Sequence, residues 1–180
     1  ACKVIMRADD SSGIIGDAIR QLLELHAQLA RTAPPPDRKL VDWMMRFQVD
    51  NECDLFEIDP VAYAPALGER GMTTYRMKLG EITAGLSPKL SDEHRHNLWS
   101  TDRDAWHQVL EQDHTRFVLE WNARRLAVWD RDVDAIIATH SRDRKVAAWL
   151  QDTAKALAEI GEFDLAIDWA RRATYLDLGH

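Results

Sequence analysis

The sequence contains few of the residues that interrupt helices and very few cysteines. Eight glycines and six prolines among 180 residues leave room for long helices. The two cysteines, Cys2 and Cys53, are too few for a disulfide framework, so the composition favours a reducing, cytoplasmic setting. No apolar run is long enough to span a bilayer, and residues 1–10 lack the apolar core of a signal peptide. We therefore expect a cytoplasmic protein without a membrane segment.

The charge is acidic, with a formal net charge of -7. A polyanion would on average be repelled, which argues against nonspecific binding of nucleic acid or of an anionic membrane. The apolar fraction of 46% and the charged fraction of 29% are ordinary for a globular protein. These values favour a folded domain over a disordered chain.

Motifs that carry catalysis or bind a cofactor are missing from the sequence. Neither G-x-S-x-G, a glycine-rich phosphate loop, H-E-x-x-H nor C-x-x-C occurs. The polar stretch 87–114 holds four histidines among several aspartates, but their spacing fits no known closed zinc site. We predict no enzyme, no cofactor and no metal. A hydrolase that uses this central His/Asp-rich segment is kept as an alternative.

Apolar residues recur at helical spacing through the first half of the chain. Residues 11–32 carry them at three- and four-residue steps, and the prolines at 34–36 end this helix. The same pattern resumes over 38–48, which predicts a helical hairpin. Pro60 suits the first turn of the next helix, and the break at Gly68–Gly71 predicts a second hairpin. We expect a loop after it, then at least one helix before residue 114.

The last third of the chain contains an internal repeat. Six residues recur at a constant offset of 31: Leu119, Ala123, Leu126, Ala127, Ala135 and Ile136 match Leu150, Ala154, Leu157, Ala158, Ala166 and Ile167. At this offset Asp130 corresponds to Gly161, the predicted turn glycine. Such self-similarity is typical of helical-repeat arrays, in which small residues let antiparallel helices approach closely. We therefore divide the chain into N-terminal helical hairpins, 1–114, and a repeat region, 115–180.

Residues 147–180 resemble one tetratricopeptide repeat. The positions that carry the resemblance are Leu150, Ala154, Leu157, Gly161 and Ala166. Three positions depart from the family pattern: Thr153, Ala170 and Leu178. The resemblance implies a right-handed α-α superhelix of stacked hairpins whose concave face binds peptides, and it covers roughly the last third of the chain.

A second resemblance extends over more of the chain. Residues 7–26, 56–76 and 120–143 look like the helical region that follows the zinc finger in bacterial SWIM zinc-finger proteins. The zinc motif itself is absent, since Cys2-Lys3-Val4 does not continue as that motif requires. This resemblance implies a nucleic-acid-associated module as an alternative function.

Tryptophan and arginine concentrate in the repeat region. Trp121 and Trp129 lie about two helical turns apart with Arg125 between them, an arrangement suited to cation–π contacts in a binding groove. Arginine pairs at 124–125 and 171–172 suit an acidic peptide or a phosphate backbone. The candidate partner-binding residues are therefore Trp121, Arg124, Arg125, Trp129, Arg171 and Arg172. The alternative is that these arginines lie over buried rings or on solvated helix faces.

The sequence thus predicts an all-α protein of seven or eight helices in antiparallel hairpins. Because no catalytic constellation is present, the favoured function is a noncatalytic protein–protein interaction scaffold, as a fragment of a larger intracellular protein. We expect a protein or peptide partner, with nucleic acid only as the alternative. A second copy of the chain is a further expectation, over the exposed edge of the C-terminal helix.

Overall fold

The computed structural model describes residues 13–49 and 57–177, and within these two ranges the secondary structure is eight helices without a strand. The helices are α1 (Ile14–Thr32), α2 (Asp37–Val49), α3 (Pro60–Gly85), α4 (Asp92–Thr101), α5 (Arg103–Trp129), α6 (Val133–Ser141), α7 (Ala147–Glu159) and α8 (Phe163–Asp177). The all-α prediction is confirmed. None of the helices in these ranges combines the length and the apolarity that crossing a bilayer requires.

The chain divides into two compact units, a first unit of residues 1–119 and a second unit of residues 120–180. The division falls inside α5, as does the boundary after His114 that the sequence suggested. Each unit has its own buried apolar residues, so each is described by itself.

The first unit is organised around α3. The prolines after Thr32 end α1, and the amide of Ala33 donates to the Leu29 carbonyl at the helix end. Both α1 and α2 pack on α3, and they also contact each other, with 4.3 Å between the ring centres of His26 and Trp43. The two predicted helices of the first hairpin are therefore present and in contact, and α3 packs against both. The fully buried side chains of this unit include Val41, Met44, Tyr63 and Tyr75.

The predicted break in α3 is present but occupies a single residue. Pro60 stands in the first turn, where the Asp59 carboxylate accepts from the Val61 amide. Gly68 alone leaves the helical conformation, with φ 59° and ψ -176°. Gly71 is helical and buried, and a Cβ there would lie 2.9 Å from the Leu67 Cβ. The Gly68–Gly71 turn of the predicted second hairpin is thus a one-residue kink, and Gly71 is needed for close packing.

The polar stretch before residue 114 is helical after a short loop, as the sequence indicated. Ser91 caps α4 by accepting from the His94 amide. One residue, Asp102, separates α4 from α5, and its carboxylate accepts from the Ala105 amide. An ion pair of 2.6 Å between Arg95 and Asp113 joins the two helices. No residue of α4 is buried. Its attachment to α5 therefore depends on charged contacts such as the Arg95–Asp113 ion pair.

The second unit contains two helix–turn–helix segments with equivalent turns. In the first turn the Asp132 amide donates to the Ala127 carbonyl, and in the second the Glu162 amide donates to the Leu157 carbonyl. Arg131 and Gly161 occupy the same place, with φ of 56° and 86°. These positions are 30 residues apart, so the offset of 31 and the match of Asp130 with Gly161 are wrong by one residue. Burial agrees with an offset of 30 residues. Ile136 is buried, as is Ala166 at that offset, whereas Ile167, at an offset of 31, is exposed.

Candidate partner-binding surface

Arginine and tryptophan side chains meet repeatedly in the second unit. The connection between α6 and α7 supplies Arg142 and Arg144, and α8 supplies Arg172. The guanidinium carbon of Arg142 lies 4.7 Å from the centre of the Trp149 ring. Those of Arg144 and Arg172 lie 5.5 Å and 4.8 Å from the centre of one ring, that of Trp169. We call these five residues the arginine–tryptophan surface. Such contacts hold a cation in a defined place while its charge stays at the protein surface.

The backbone of the α6–α7 connection is constrained. Arg142 and Arg144 both have positive φ, at 48° and 61°. A residue with a Cβ prefers negative φ by about 1–2 kcal/mol, so tertiary contacts must hold the connection in this form. The Arg144 amide donates to the Ser141 carbonyl at 2.8 Å, and the Lys145 amide donates to the Asp143 carboxylate at 3.1 Å. The connection is therefore an ordered turn, which fixes the backbone positions of Arg142 and Arg144.

Carboxylates lie close to some arginines of this region and not to others. Glu120 lies 3.7 Å from Arg142, and Asp168 lies 3.4 Å from Arg171. Across the described ranges no carboxylate oxygen comes within 4.0 Å of Arg144, Lys145 or Arg172. The positive charge of the arginine–tryptophan surface is thus concentrated on Arg144 and Arg172, and Lys145 follows Arg144 in the chain.

The predicted site residues are divided among different contacts. Both oxygens of Glu159 accept from Arg125, at 2.7 Å and 2.8 Å, and the Arg125 side chain is only 13% exposed. Arg125 holds the pKa of Glu159 below its usual value, against the opposing effect of burial. Arg124 lies over the Trp121 ring at 5.8 Å, and Trp129 is exposed. Arg125 therefore links α5 to α7 by a bidentate ion pair.

Of the predicted arginines on α8, Arg172 belongs to the arginine–tryptophan surface and Arg171 pairs with Asp168. Sequence reasoning missed Arg142 and Arg144 as site residues. A signal was present, because three of the four residues at 142–145 are cationic. Trp169 is 4% exposed and Trp149 is partly buried.

The chain matches one family over almost its full length. Residues 1–178 match the model of a family described as "Family of unknown function (DUF6880)". The chain belongs to the DUF6880 family. Neither the curated proteins nor the solved structures that were compared with it gave a match.

A buried histidine lies close to the arginines of this DUF6880 chain. His140, on α6, is 7% exposed, and its Nδ1 donates to the Ile136 carbonyl at 3.0 Å. Burial lowers the pKa of His140, the hydrogen bond opposes this change, and the charges of Arg124 and Arg125 lower the pKa further. Burial therefore favours the neutral form of His140.

The His/Asp-rich segment uses its ionisable groups in packing contacts. His94 hydrogen-bonds the Ser91 hydroxyl at 2.7 Å, and His114 donates from Nε2 to the Gln48 carbonyl at 2.9 Å. Hydrogen bonding to Arg95 lowers the pKa of Asp113. No three His, Cys, Asp or Glu side chains of the described ranges form a group that could hold a metal ion. The hydrolase alternative stays a prediction, with these contacts as its local environment.

Proposed function

We propose that this chain is a noncatalytic protein-interaction module whose second unit presents the partner-binding surface. The arginine–tryptophan surface carries the proposal, because it places solvent-exposed guanidinium groups on tryptophan rings of a helical scaffold. Arginine and tryptophan are the residues that most often dominate binding energy at protein interfaces. The small number of cysteines supports a cytoplasmic setting for this module.

We also propose that the two helix–turn–helix segments of the second unit are consecutive repeats of a tetratricopeptide-like array. Their equivalent turns, 30 residues apart, support this proposal. Arg131 of the first turn donates to the Ile160 carbonyl beside the second, so neighbouring turns are linked directly. The spacing is shorter than the 34 residues or so of that family. The SWIM resemblance has no comparable structural support, so the nucleic-acid module is the rival that the experiments must address.

A pair of matched crosslinking positions tests the interaction surface. Tyr175 lies one turn beyond Arg172 on α8 and is 64% exposed, while Trp99 of the first unit is 65% exposed. Each is replaced in turn by a photoreactive phenylalanine derivative, and crosslinked proteins are identified after capture from a lysate. We expect one specific protein at Tyr175 and not at Trp99.

Binding of the identified protein is then measured with purified components. A saturable complex that Arg172→Glu weakens would support the proposal, with Arg171→Glu as the neighbouring control. Equal crosslinking at both positions, or recovery of nucleic acid alone, would contradict it.

A further inference from the structure

We propose that Arg144 and Arg172 form a clamp, seated on Trp169, that binds the carboxylates of an acidic peptide segment in a protein partner. This inference rests on the proposed function and specifies the chemistry of the partner. It moves the centre of recognition away from α5, where the sequence placed Trp121, Arg124, Arg125 and Trp129.

Both guanidinium groups contact one ring, which brings two cations from different elements to the same place in the fold. Arg144 approaches Trp169 from the α6–α7 connection and Arg172 from α8 itself, at 5.5 Å and 4.8 Å from the ring centre. Trp169 is 4% exposed, so the ring serves as a seat for the cations and offers little area to a partner. A guanidinium that lies over a ring keeps its N–H donors in its own plane, where they remain suited to bidentate contacts with carboxylates.

The charges around the clamp are unbalanced. Arg142 and Arg171 resemble Arg144 and Arg172 in position, but each has a carboxylate within 4.0 Å, Glu120 and Asp168 respectively. In the described part of the chain neither Arg144 nor Arg172 has one, and Lys145 adds a third cation beside them. Asp143, the nearest acid in sequence, accepts from the Lys145 amide. An external carboxylate therefore completes contacts that the chain itself leaves open.

The clamp is also ordered before a ligand arrives. Arg172 projects from a regular helix, and the turn at Ser141–Arg144 fixes the backbone of Arg144. Each ring contact restricts a long side chain in advance, so less conformational entropy is lost on binding. This preorganisation favours binding over a charged but mobile surface.

The charge of the whole second unit favours a short acidic segment over a nucleic acid. Residues 120–180 contain nine Lys and Arg but eleven Asp and Glu. A long polyanion that reaches the clamp also meets these carboxylates, whereas a few acidic side chains meet mainly the clamp. The nucleic-acid rival is accordingly one outcome of the test below.

The test uses the full chain and three fluorescent probes: a peptide of alternating Glu and Gly, its Gln–Gly counterpart, and a single-stranded DNA of the same net charge as the acidic peptide. Anisotropy titrations compare the wild type with Arg144→Gln/Arg172→Gln and with Lys155→Gln/Arg171→Gln. The two double variants remove the same charge from the second unit, and Lys155 and Arg171 each pair with a carboxylate of their own helix, Asp152 and Asp168. We expect the first to weaken binding of the Glu–Gly peptide about tenfold or more and the second less than about twofold. The Gln–Gly peptide is expected not to bind.

Several results would overturn the clamp. These are equal weakening by both double variants, no binding of the Glu–Gly peptide to the wild type, or a preference for the DNA. Circular dichroism checks that each variant is folded. If the Gln variants are unfolded, Arg144→Lys/Arg172→Lys replaces them, and it must weaken binding because lysine keeps the charge but lacks the planar fork. If the partner crosslinked at Tyr175 binds the wild type and Arg144→Gln/Arg172→Gln equally, the clamp is wrong while the proposed function stands.

Discussion

The two units place their aromatic rings in different surroundings. In the first unit, rings contact one another: Trp43 lies 4.3 Å from His26, 5.6 Å from Phe47 and 5.8 Å from Tyr63, between ring centres. In the second unit, the rings of Trp121, Trp149 and Trp169 contact guanidinium groups. Tryptophan thus joins helices through ring contacts around Trp43 and contacts guanidinium groups in the second unit. The first unit has a contact of this second kind as well, Arg95 over Trp106 at 5.6 Å.

The first unit also encloses the hydroxyl groups of two tyrosines. In the first unit Tyr75 is fully buried and its hydroxyl accepts from Gln48 at 2.8 Å. Burial raises the pKa of Tyr63 to about 12, and its hydroxyl donates to the Leu23 carbonyl. These groups are enclosed by the protein and serve stability. The first unit thus uses its rings and hydroxyl groups in its own core, whereas the second also holds exposed guanidinium groups over its rings.

The largest effect is expected from truncating a first-unit ring. Tyr75→Ala should lower the free energy of unfolding by about 3–5 kcal/mol, because it empties a fully buried site and removes the hydroxyl that accepts from Gln48. Tyr75→Phe, which removes the hydroxyl alone, should cost about 1 kcal/mol. Arg144→Gln in the second unit should change stability by less than about 0.5 kcal/mol. Urea unfolding followed by circular dichroism measures all three, and similar losses for Tyr75→Ala and Arg144→Gln would break the comparison.

A smaller loss of stability is expected from a substitution in one of the two equivalent turns of the second unit. Gly161→Ala should cost about 1–2 kcal/mol, because φ of 86° is strained for a residue with a Cβ. An added Cβ would meet nothing nearer than the Arg131 Nη2 at 4.0 Å, so lack of space is not the cause. Thermal or urea unfolding gives the value.

Arg131 supplies the matched control for this turn. Arg131→Ala and Arg131→Gly both lose the hydrogen bond to Ile160, but glycine also relieves the strain of φ 56°. The glycine variant should therefore be the more stable of the two by about 1 kcal/mol. A more stable alanine variant would show that the turns are not equivalent.

The smallest effect concerns the ion pair of Arg125 and Glu159. Since the folded-state pKa of Glu159 lies below its usual value, the pair stabilises the fold above the unfolded pKa and loses this contribution as pH falls through the folded one. Glu159 is 43% exposed, so solvent screening limits the contribution to less than about 1 kcal/mol. Unfolding measured from pH 7 down to acid should fall more steeply for the wild type than for Glu159→Gln. Parallel curves would remove any role of the pair in stability.

Helices were predictable wherever apolar spacing and helix-ending residues agreed. The ends of α1 and the start of α3 lie close to the predicted positions, which came from the apolar spacing of residues 11–32, the prolines at 34–36 and Pro60. The packing of α1 and α2 on α3 was not predictable, because helical spacing shows which face is apolar and not which helix covers it. The repeat was also predictable, from residues between Leu119 and Ile136. Sequence identity at an offset of 31 could not show, however, that Arg131 and not Asp130 adopts the turn conformation of Gly161.

The sequence by itself determined the all-α class, the acidic charge and the enrichment of arginine and tryptophan in the last third. These follow from composition and from spacing along one helix, which are local properties. Only the tertiary structure decided which arginines meet carboxylates and which meet rings. Arg171 and Arg172 are neighbours in sequence, yet one pairs with Asp168 and the other lies over Trp169 beside Arg144. Such differences depend on contacts between distant segments, and those contacts form only when the helices pack.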